Sequence, residues 1–389
     1  MFIDLTAEQH ALRLRVRDYF GALMTPELRL ALRAAEGGAL YRDTVRRMGA
    51  DGWLAVGWPK AFGGQGFSGT EQLVFFEEAN IAGAPLPFVT ISTVGPALMA
   101  SGTELQKARF LPAIAAGTLL FSIGYSEPGA GSDLAALKTS ARLEADTFVV
   151  NGNKLWTSGV ESADFVWLAA RTDADLPRHK GVSLLMVDTQ LPGFSHTPIQ
   201  TVGNRTAATY YDQVRVPRDM LVGELNAGWK LITAQLNHER LGLGAWADKV
   251  FGSFRRVLMW AKARDENGRR AIDQPWVQRA LADCYTRLEA QRLLNFRIAA
   301  DVEAGNMDVA LASASKVYGS ETVIEVLRML IEVMGSGAMV RAGSAAALLA
   351  GELEYEARAA TITTFGGGTN ELQRELIAQF GLAMPKTIR

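Results

Sequence analysis

Residues 126–133 read Ser-Glu-Pro-Gly-Ala-Gly-Ser-Asp and come just after the apolar run of residues 119–123. Three small residues in succession let backbone N–H groups approach an anion closely, and the hydroxyls of Ser126 and Ser132 add further donors. This stretch therefore predicts a loop that binds a phosphate or a cofactor. A plain surface turn would also explain the Pro-Gly pair taken alone, so composition leaves both interpretations open.

The spacing of apolar residues changes on either side of this loop. Before it, residues such as Leu12, Val16 and Phe20 recur at helical intervals. After it come short β-type runs separated by turn residues, at 148–150, 165–169, 182–187 and 209–216. From Gly228 onward long helical patterns return, with breaks near residues 267–268, 275 and 335–337. The chain is thus predicted to be α+β, with a helical domain at 1–118, a β-domain at 119–224 and a second helical domain at 225–389.

Asn151-Gly152 lies between two of the β-type runs. Asn-Gly is the strongest short hairpin signal, because both central residues of the turn need positive φ. The pair therefore predicts a tight turn between two antiparallel strands.

Composition restricts the classes of function. The chain has 389 residues with 40 basic and 41 acidic side chains, which argues against binding to nucleic acid or to a charged membrane surface. The single cysteine, Cys284, excludes an internal disulfide, and the four histidines show no ligand spacing, so we expect no structural metal. The amphipathic, acid-containing N-terminus differs from a targeting peptide, and we expect the protein to reside in the cytosol.

The sequence resembles the acyl-CoA dehydrogenase family over essentially its whole length. The strings that carry the resemblance are residues 57–67, 102–112, 126–133, 151–158, 214–223 and 368–374. The resemblance implies a helical N-terminal domain, a central β-barrel-like domain and a C-terminal four-helix bundle that also forms the core of an oligomer. It also implies that the cofactor is FAD.

The family pattern implies specific cofactor contacts in this chain. Ser126 would lie on the flavin ring, Gly131 and Ser132 near the pyrophosphate, and Trp156 and Ser158 against the isoalloxazine. Further implied contacts are Arg264 toward the FAD of a neighbouring subunit, Gly335, Thr369 and Glu371. The residues after Arg264, Asp-Glu-Asn-Gly, depart from the aromatic-glycine pair usual in the family.

Many family members carry their catalytic glutamate immediately before a Gly-Thr pair, where this chain has Gly366-Gly367-Gly368. A second family location for the base lies on the first long helix of the C-terminal domain, and Glu239 occupies it. Glu239 also falls within an apolar stripe at helical spacing, and burial there would raise its pKa toward that of a useful base. A structural ion pair with Arg240 is the alternative for Glu239.

The glycine triplet keeps a backbone N–H at Gly367, which in the family hydrogen-bonds the thioester oxygen together with an FAD hydroxyl. The lost side-chain volume predicts room for bulk near the thioester, although a flexible turn would also explain three glycines. The overall pattern is most similar to bacterial dehydrogenases of steroid side-chain degradation, which implies a bulky or α-branched steroid-CoA substrate.

The resemblance also implies partners: an electron-transfer flavoprotein as acceptor, and a homo- or heterotetramer, or a dimer, with a homologous subunit. Two other functions stay open on the sequence. One is a flavin monooxygenase or oxidase on the same fold, and the other is a non-catalytic or half-site partner subunit of a heteromeric dehydrogenase.

Overall fold

Twelve α-helices and eight strands, together with short 3-10 and π segments, lie in the part of the chain that the computed structural model describes, residues 4–35, 37–235, 247–306 and 308–385. Six helices precede the first strand: α1 (Ala7–Leu23), α2 (Pro26–Ala35), α3 (Gly38–Ala50), α4 (Gly69–Ala82), α5 (Gly95–Ser101) and α6 (Glu104–Ala115). After the last strand come α7 (228–235), α8 (Ala247–Lys262), α9 (Pro275–Glu303), α10 (Val309–Met334), α11 (Glu352–Ala360) and α12 (Asn370–Leu376). The predicted order of helical, β and helical segments is confirmed.

Local sequence signals place several of these helix ends. Thr6 caps α1: its hydroxyl accepts from the N–H of Gln9, whose side chain in turn accepts from the N–H of Thr6. The predicted breaks also fall between helices, because α8 ends at Lys262, α9 begins at Pro275 and α10 ends at Met334. No described helix is both long enough and apolar enough to cross a membrane.

The strands form one mixed sheet with the order β6-β7-β3-β2-β4-β5-β8, and β1 pairs with β4 in parallel. Their bounds are β1 (Phe121–Gly124), β2 (Ser140–Glu144), β3 (Thr147–Lys154), β4 (Phe165–Arg171), β5 (Val182–Asp188), β6 (Phe194–Gln200), β7 (Arg205–Pro217) and β8 (Leu221–Val222). Every β-type run predicted from the sequence lies in one of these strands. Strands β4 and β5 are buried at six successive positions each, as expected for strands covered on both faces.

The hairpin predicted at Asn151-Gly152 is wrong. Both residues lie inside β3, where the register with β7 shifts between Val150 and Gly152, as in a β-bulge. A Cβ on Gly152 would lie 2.6 Å from the hydroxyl oxygen of Thr139, so packing requires the glycine. The tight turn is instead Ala145-Asp146, between the paired ends of β2 and β3.

The chain divides into two compact units. One comprises Met1–Arg29, Ser68–Ala84 and Arg240–Arg389, and the other Leu30–Phe67 and Pro85–Glu239. The second unit contains the whole described sheet. The domain boundaries after residues 118 and 224 remain predictions.

Charged contacts join the helices of the first unit. Glu77 on α4 accepts hydrogen bonds from Arg13 on α1 and, at 3.0 Å, from Arg292 on α9. Arg17 donates to both carboxylate oxygens of the neighbouring Glu78, at 3.0 and 2.7 Å. Both glutamates are buried, and each therefore needs these partners to offset the loss of water.

Candidate cofactor and active site

The loop of residues 126–133 folds back on itself at the exit of β1. The backbones of Glu127 and Ala130 exchange two hydrogen bonds, of 2.9 and 3.1 Å, and form an isolated β-bridge. Beyond this bridge Gly131 and Ser132 are exposed, and their N–H groups find no acceptor among the described residues. The loop therefore presents unpaired backbone donors, as an anion-binding loop must.

A buried ion pair anchors the loop from below. The side chain of Lys154, at the end of β3, is fully buried and donates 2.8 Å to the carboxylate of Glu127 and 3.0 Å to the carbonyl of Tyr125. The same carboxylate accepts from the N–H groups of Lys138 and Thr139 at 2.7 and 2.8 Å. The hydrogen bonds of this buried pair thus fix the position of the loop.

The two charges affect each other's ionisation. Burial lowers the pKa of Lys154 to about 8, although the nearby carboxylate of Glu127 opposes this shift. Burial alone would raise the pKa of Glu127, but the ammonium of Lys154 and the two N–H donors hold it below its ordinary value. Each charge therefore offsets part of the cost of burying the other.

The structure brings the second predicted flavin segment beside the loop. The N–H of Leu155 donates 2.8 Å to the carbonyl of Ser126, so Trp156 and Ser158 follow directly from a contact with the loop. Trp156 has a positive φ of 65° and its side chain is 56% exposed. A large aromatic side chain held outward in a rare conformation is typical of a binding surface.

The hydroxyl of Ser158 is exposed but already ordered. It donates 2.9 Å to the hydroxyl of Thr206, and the carbonyl of Ser158 accepts 3.0 Å from the hydroxyl of Ser122. A residue that packs against a planar ring needs such support, because a free serine would sample several rotamers.

Tyr125 connects this region to the start of α7. Its hydroxyl accepts 3.1 Å from the indole N–H of Trp167 and donates to the side-chain oxygen of Gln235. The side chain of Gln235 is buried, and its amide nitrogen has no partner among the described residues. Glu239, the predicted base, lies outside the described residues, four positions after Gln235 in the sequence.

The glycine triplet belongs to the other compact unit. Gly366 and Gly367 are exposed, and Gly367 and Gly368 have positive φ of 68° and 98°. The N–H of Gly366 donates 2.7 Å to the carbonyl of Ile362, whereas that of Gly367 finds no acceptor among the described residues. The described residues therefore leave the predicted donor to the thioester oxygen unpaired.

The other predicted contacts of this unit lie at the ends of three helices. Thr369 caps α12, where its hydroxyl accepts 3.2 Å from Leu372, and the exposed Glu371 follows in the first turn. Gly335 closes the far end of α10, and Arg264 lies in the turn after α8, where its guanidinium donates 2.6 Å to the carbonyl of Gly268. Thr369 and Glu371 therefore share the start of α12 and follow Gly367 closely in the sequence.

Sequence reasoning missed two lysines that hold these loops. One is Lys154, and the other is Lys316 on α10, which donates to the backbone on both sides of the glycine triplet. Each is a charged residue at a position where the apolar pattern of its strand or helix predicts a buried side chain. A charge at such a position is the signal that could have identified them.

Comparison with known proteins defines the class of this protein. Models of the N-terminal, middle and C-terminal domains of acyl-CoA dehydrogenases match residues 6–118, 122–214 and 226–382. The chain therefore belongs to the acyl-CoA dehydrogenase family. The predicted family, enzyme class and three-part fold are confirmed.

Among its relatives, acyl-CoA dehydrogenase FadE26 of Mycobacterium tuberculosis is 50% identical, with both chains covered in full. Of the solved structures, the Tcur3481-Tcur3483 steroid ACAD superposes with a TM-score of 0.95 at 47% identity. The ChsE4-ChsE5 complex from Mycobacterium tuberculosis superposes with a TM-score of 0.92 at 51% identity. Each of these two structures covers all of this chain and is covered by it in full.

Proposed function

We propose that this protein catalyses the FAD-dependent α,β-dehydrogenation of a bulky or α-branched acyl-CoA to the trans-2-enoyl-CoA. The observation that carries the proposal is the loop of residues 126–133, whose unpaired donors are held in place by the buried Lys154–Glu127 pair. Membership of the acyl-CoA dehydrogenase family supports the reaction class.

The donor set in the sheet-containing unit fits a flavin dinucleotide. The hydroxyl of Ser126 and the N–H groups of Gly131 and Ser132 have no partners among the described residues, and they suit the flavin edge and an anionic pyrophosphate. The exposed Trp156 and the ordered Ser158 would hold the isoalloxazine. FAD, when bound, accepts the hydride that leaves the β-carbon.

Further predicted FAD contacts belong to the helical unit, which comprises Met1–Arg29, Ser68–Ala84 and Arg240–Arg389. Thr369 and Glu371 follow the glycine triplet at the start of α12, and Gly335 ends α10 with open space where a Cβ would stand. Arg264 would reach the FAD of a neighbouring subunit. These four assignments are supported by family membership alone.

The chain's own groups would then carry the proton chemistry. Glu239 removes the α-proton and retains it, while the N–H of Gly367 donates to the thioester oxygen on which negative charge develops. An N–H that is already paired inside the protein could not do this, and that of Gly367 has no partner among the described residues.

The substrate class follows from the volume left open by the triplet. Gly366 and Gly367 are exposed and carry no side chains where many family members place a glutamate. A substituent on the α-carbon can use this space, so we propose a steroid side-chain acyl-CoA. The similarity to a structure described as a steroid ACAD supports this choice.

Assembly with a homologous subunit completes the proposal. Both solved relatives named above are complexes of two named chains, and this supports a heteromeric tetramer or dimer for this protein. A homo-oligomer is the alternative. Electrons would pass from the reduced cofactor to an electron-transfer flavoprotein, and the site of the reaction would be the cytosol.

Anaerobic mixing of the purified, FAD-loaded protein with steroid-CoA and straight-chain acyl-CoA thioesters tests the proposal. We expect flavin absorbance to bleach rapidly with the branched thioester and to remain in Glu239→Gln. The matched control is Glu224→Gln, an exposed glutamate that should not change bleaching. Bound flavin that no thioester bleaches, but that consumes oxygen rapidly once reduced, would favour a monooxygenase or oxidase.

A half-site partner subunit is the second candidate function. Arg264, expected to reach a neighbour's cofactor, donates to the carbonyl of Gly268 in its own turn. The triplet also lacks the usual base. Retention of FAD by the isolated chain would contradict this alternative, whereas retention only after a homologous chain is added would support it.

A further inference from the structure

The amine of Lys316 forms an unusual set of contacts for a lysine, a residue that is mostly exposed to solvent. It is half-buried on α10 and donates 3.2 Å to the carbonyl of Thr364, 2.7 Å to that of Gly368 and 2.7 Å to the side-chain oxygen of Asn370. These contacts use all three donors of an ammonium group. No carboxylate forms an ion pair with it among the described residues.

These acceptors lie before and after Gly367 in the sequence. Thr364 precedes Phe365, and Gly368 ends the triplet, so one ammonium joins the two ends of the four-residue segment 365–368. Glycine has the largest conformational freedom of any residue, and three in succession would leave this backbone loosely defined. The contacts of Lys316 limit that freedom.

The third acceptor fixes the amine itself. The side chain of Asn370 also donates 3.0 Å to the hydroxyl of Ser320 and 3.2 Å to the carboxylate of Glu321 on α10. Lys316 is therefore held between a rigid helix and the start of α12. What it holds in turn is the backbone that contains the N–H of Gly367.

We propose that Lys316 is a positioning residue that aims the N–H of Gly367 at the thioester oxygen. The inference rests on the proposed function, because it assumes that this N–H stabilises charge on the substrate. Without the clamp the N–H would still exist but would point in several directions, and preorganised donors are the ones that accelerate a reaction.

Lys316→Met removes the donors and keeps a long apolar stem. The matched control is Arg328→Gln, which breaks an exposed 3.2 Å ion pair with Glu325 within α10 and involves none of the contacts of Lys316. Three measurements are made on each FAD-loaded protein: hydrogen exchange of a peptide covering residues 361–370, steady-state kinetics with the thioester that bleaches fastest, and retention of FAD.

In Lys316→Met we expect exchange within 361–370 to accelerate about tenfold, because a net hydrogen bond of this kind is lost. We expect kcat to fall by roughly tenfold to a hundredfold, below the full cost of deleting an oxyanion donor, with KM nearly unchanged. Retention of FAD should not change. Arg328→Gln should match the wild type in all three measurements.

Unchanged exchange or unchanged kcat in Lys316→Met would overturn the proposal, and so would equal changes in Arg328→Gln. If Lys316→Met does not fold, Lys316→Gln replaces it, because the amide keeps donors and should give intermediate exchange and kcat. Failure of both variants to fold would also overturn it, since the lysine would then hold the whole helical unit. If the wild type bleaches with no thioester, the proposed function fails, while exchange still reports whether the clamp exists.

Discussion

Two loops of this molecule are each held by one lysine, but in different ways. Under residues 126–133, the fully buried Lys154 meets the carboxylate of Glu127 at 2.8 Å. Beside the glycine triplet, the half-buried Lys316 meets two backbone carbonyls and the amide oxygen of Asn370. Burial lowers the pKa of both amines to about 8.

The difference concerns what each lysine leaves behind when it is removed. Loss of Lys154 would leave a buried carboxylate without its cation, which is among the largest penalties known for single substitutions. Loss of Lys316 would leave only dipoles, namely the carbonyls of two half-buried residues and the buried amide oxygen of Asn370, which keeps the hydroxyl of Ser320 as a donor. The first lysine therefore stabilises the fold of its unit, and the second mainly orders a local backbone.

The largest expected effect is that of Lys154→Met. We expect it to lower the free energy of unfolding by about 3–5 kcal/mol, against about 1–2 kcal/mol for Lys316→Met. Urea unfolding measures both. Lys138→Met is the control, because its side chain is exposed and only its backbone contacts Glu127. Equal costs for the two lysine variants would show that the distinction between carboxylate and dipole partners is wrong.

Gly152→Ala tests the support of the first loop indirectly, through Thr139. The added Cβ would lie 2.6 Å from the hydroxyl and 2.7 Å from the Cα of Thr139, whose N–H binds Glu127. We expect a loss of about 1–3 kcal/mol in urea unfolding, as for overpacked sites. Gly129→Ala has nothing within 4 Å and should change stability little. Equal stability in both variants would mean that the bulge yields without cost.

Gly367→Ala tests the second loop, where a positive φ favours a glycine. A φ of 68° costs a side chain roughly 1 kcal/mol. Gly343→Ala, at φ 91° with open space around it, should cost about the same. Only Gly367→Ala should lower turnover, and more with an α-branched thioester than with a straight-chain one. A uniform loss with both thioesters would contradict the proposed room for branching.

The sequence predicted the position of the first loop but not its anchor. The apolar run at 148–150 and the string at 126–133 are local signals, whereas the burial of Lys154 depends on how β3 pairs with its neighbours through a bulge. That bulge also explains why Asn151-Gly152 was mistaken for a hairpin turn. Gly152 does have a positive φ, but it lies in the bulge of β3, where a side chain would collide with Thr139. Lys316 could not be predicted as a clamp, because its acceptors lie 48, 52 and 54 residues further along the chain.

The smallest expected effect is the pH dependence that Lys316 gives to stability. Burial lowers its pKa from the ordinary 10.5 to about 8, although the carboxylates of Glu371 and Glu321 oppose the shift. Between these two values the unfolded chain binds more protons than the folded one, so this contribution to stability rises with pH. This stabilisation is fully present above the pKa of the unfolded chain, 10.5, and is lost as the pH falls through the pKa of the folded protein, about 8.

We therefore expect the difference in unfolding free energy between wild type and Lys316→Met to increase from about pH 8 to about pH 10 in urea titrations. Arg328→Gln should keep a constant difference from the wild type over the same range, because its exposed ion pair with Glu325 does not involve Lys316. A constant difference for Lys316→Met would mean that the ammonium is as well solvated by its three acceptors as by water. The contrast with Lys154 would then lie in burial alone, and not in the kind of partner.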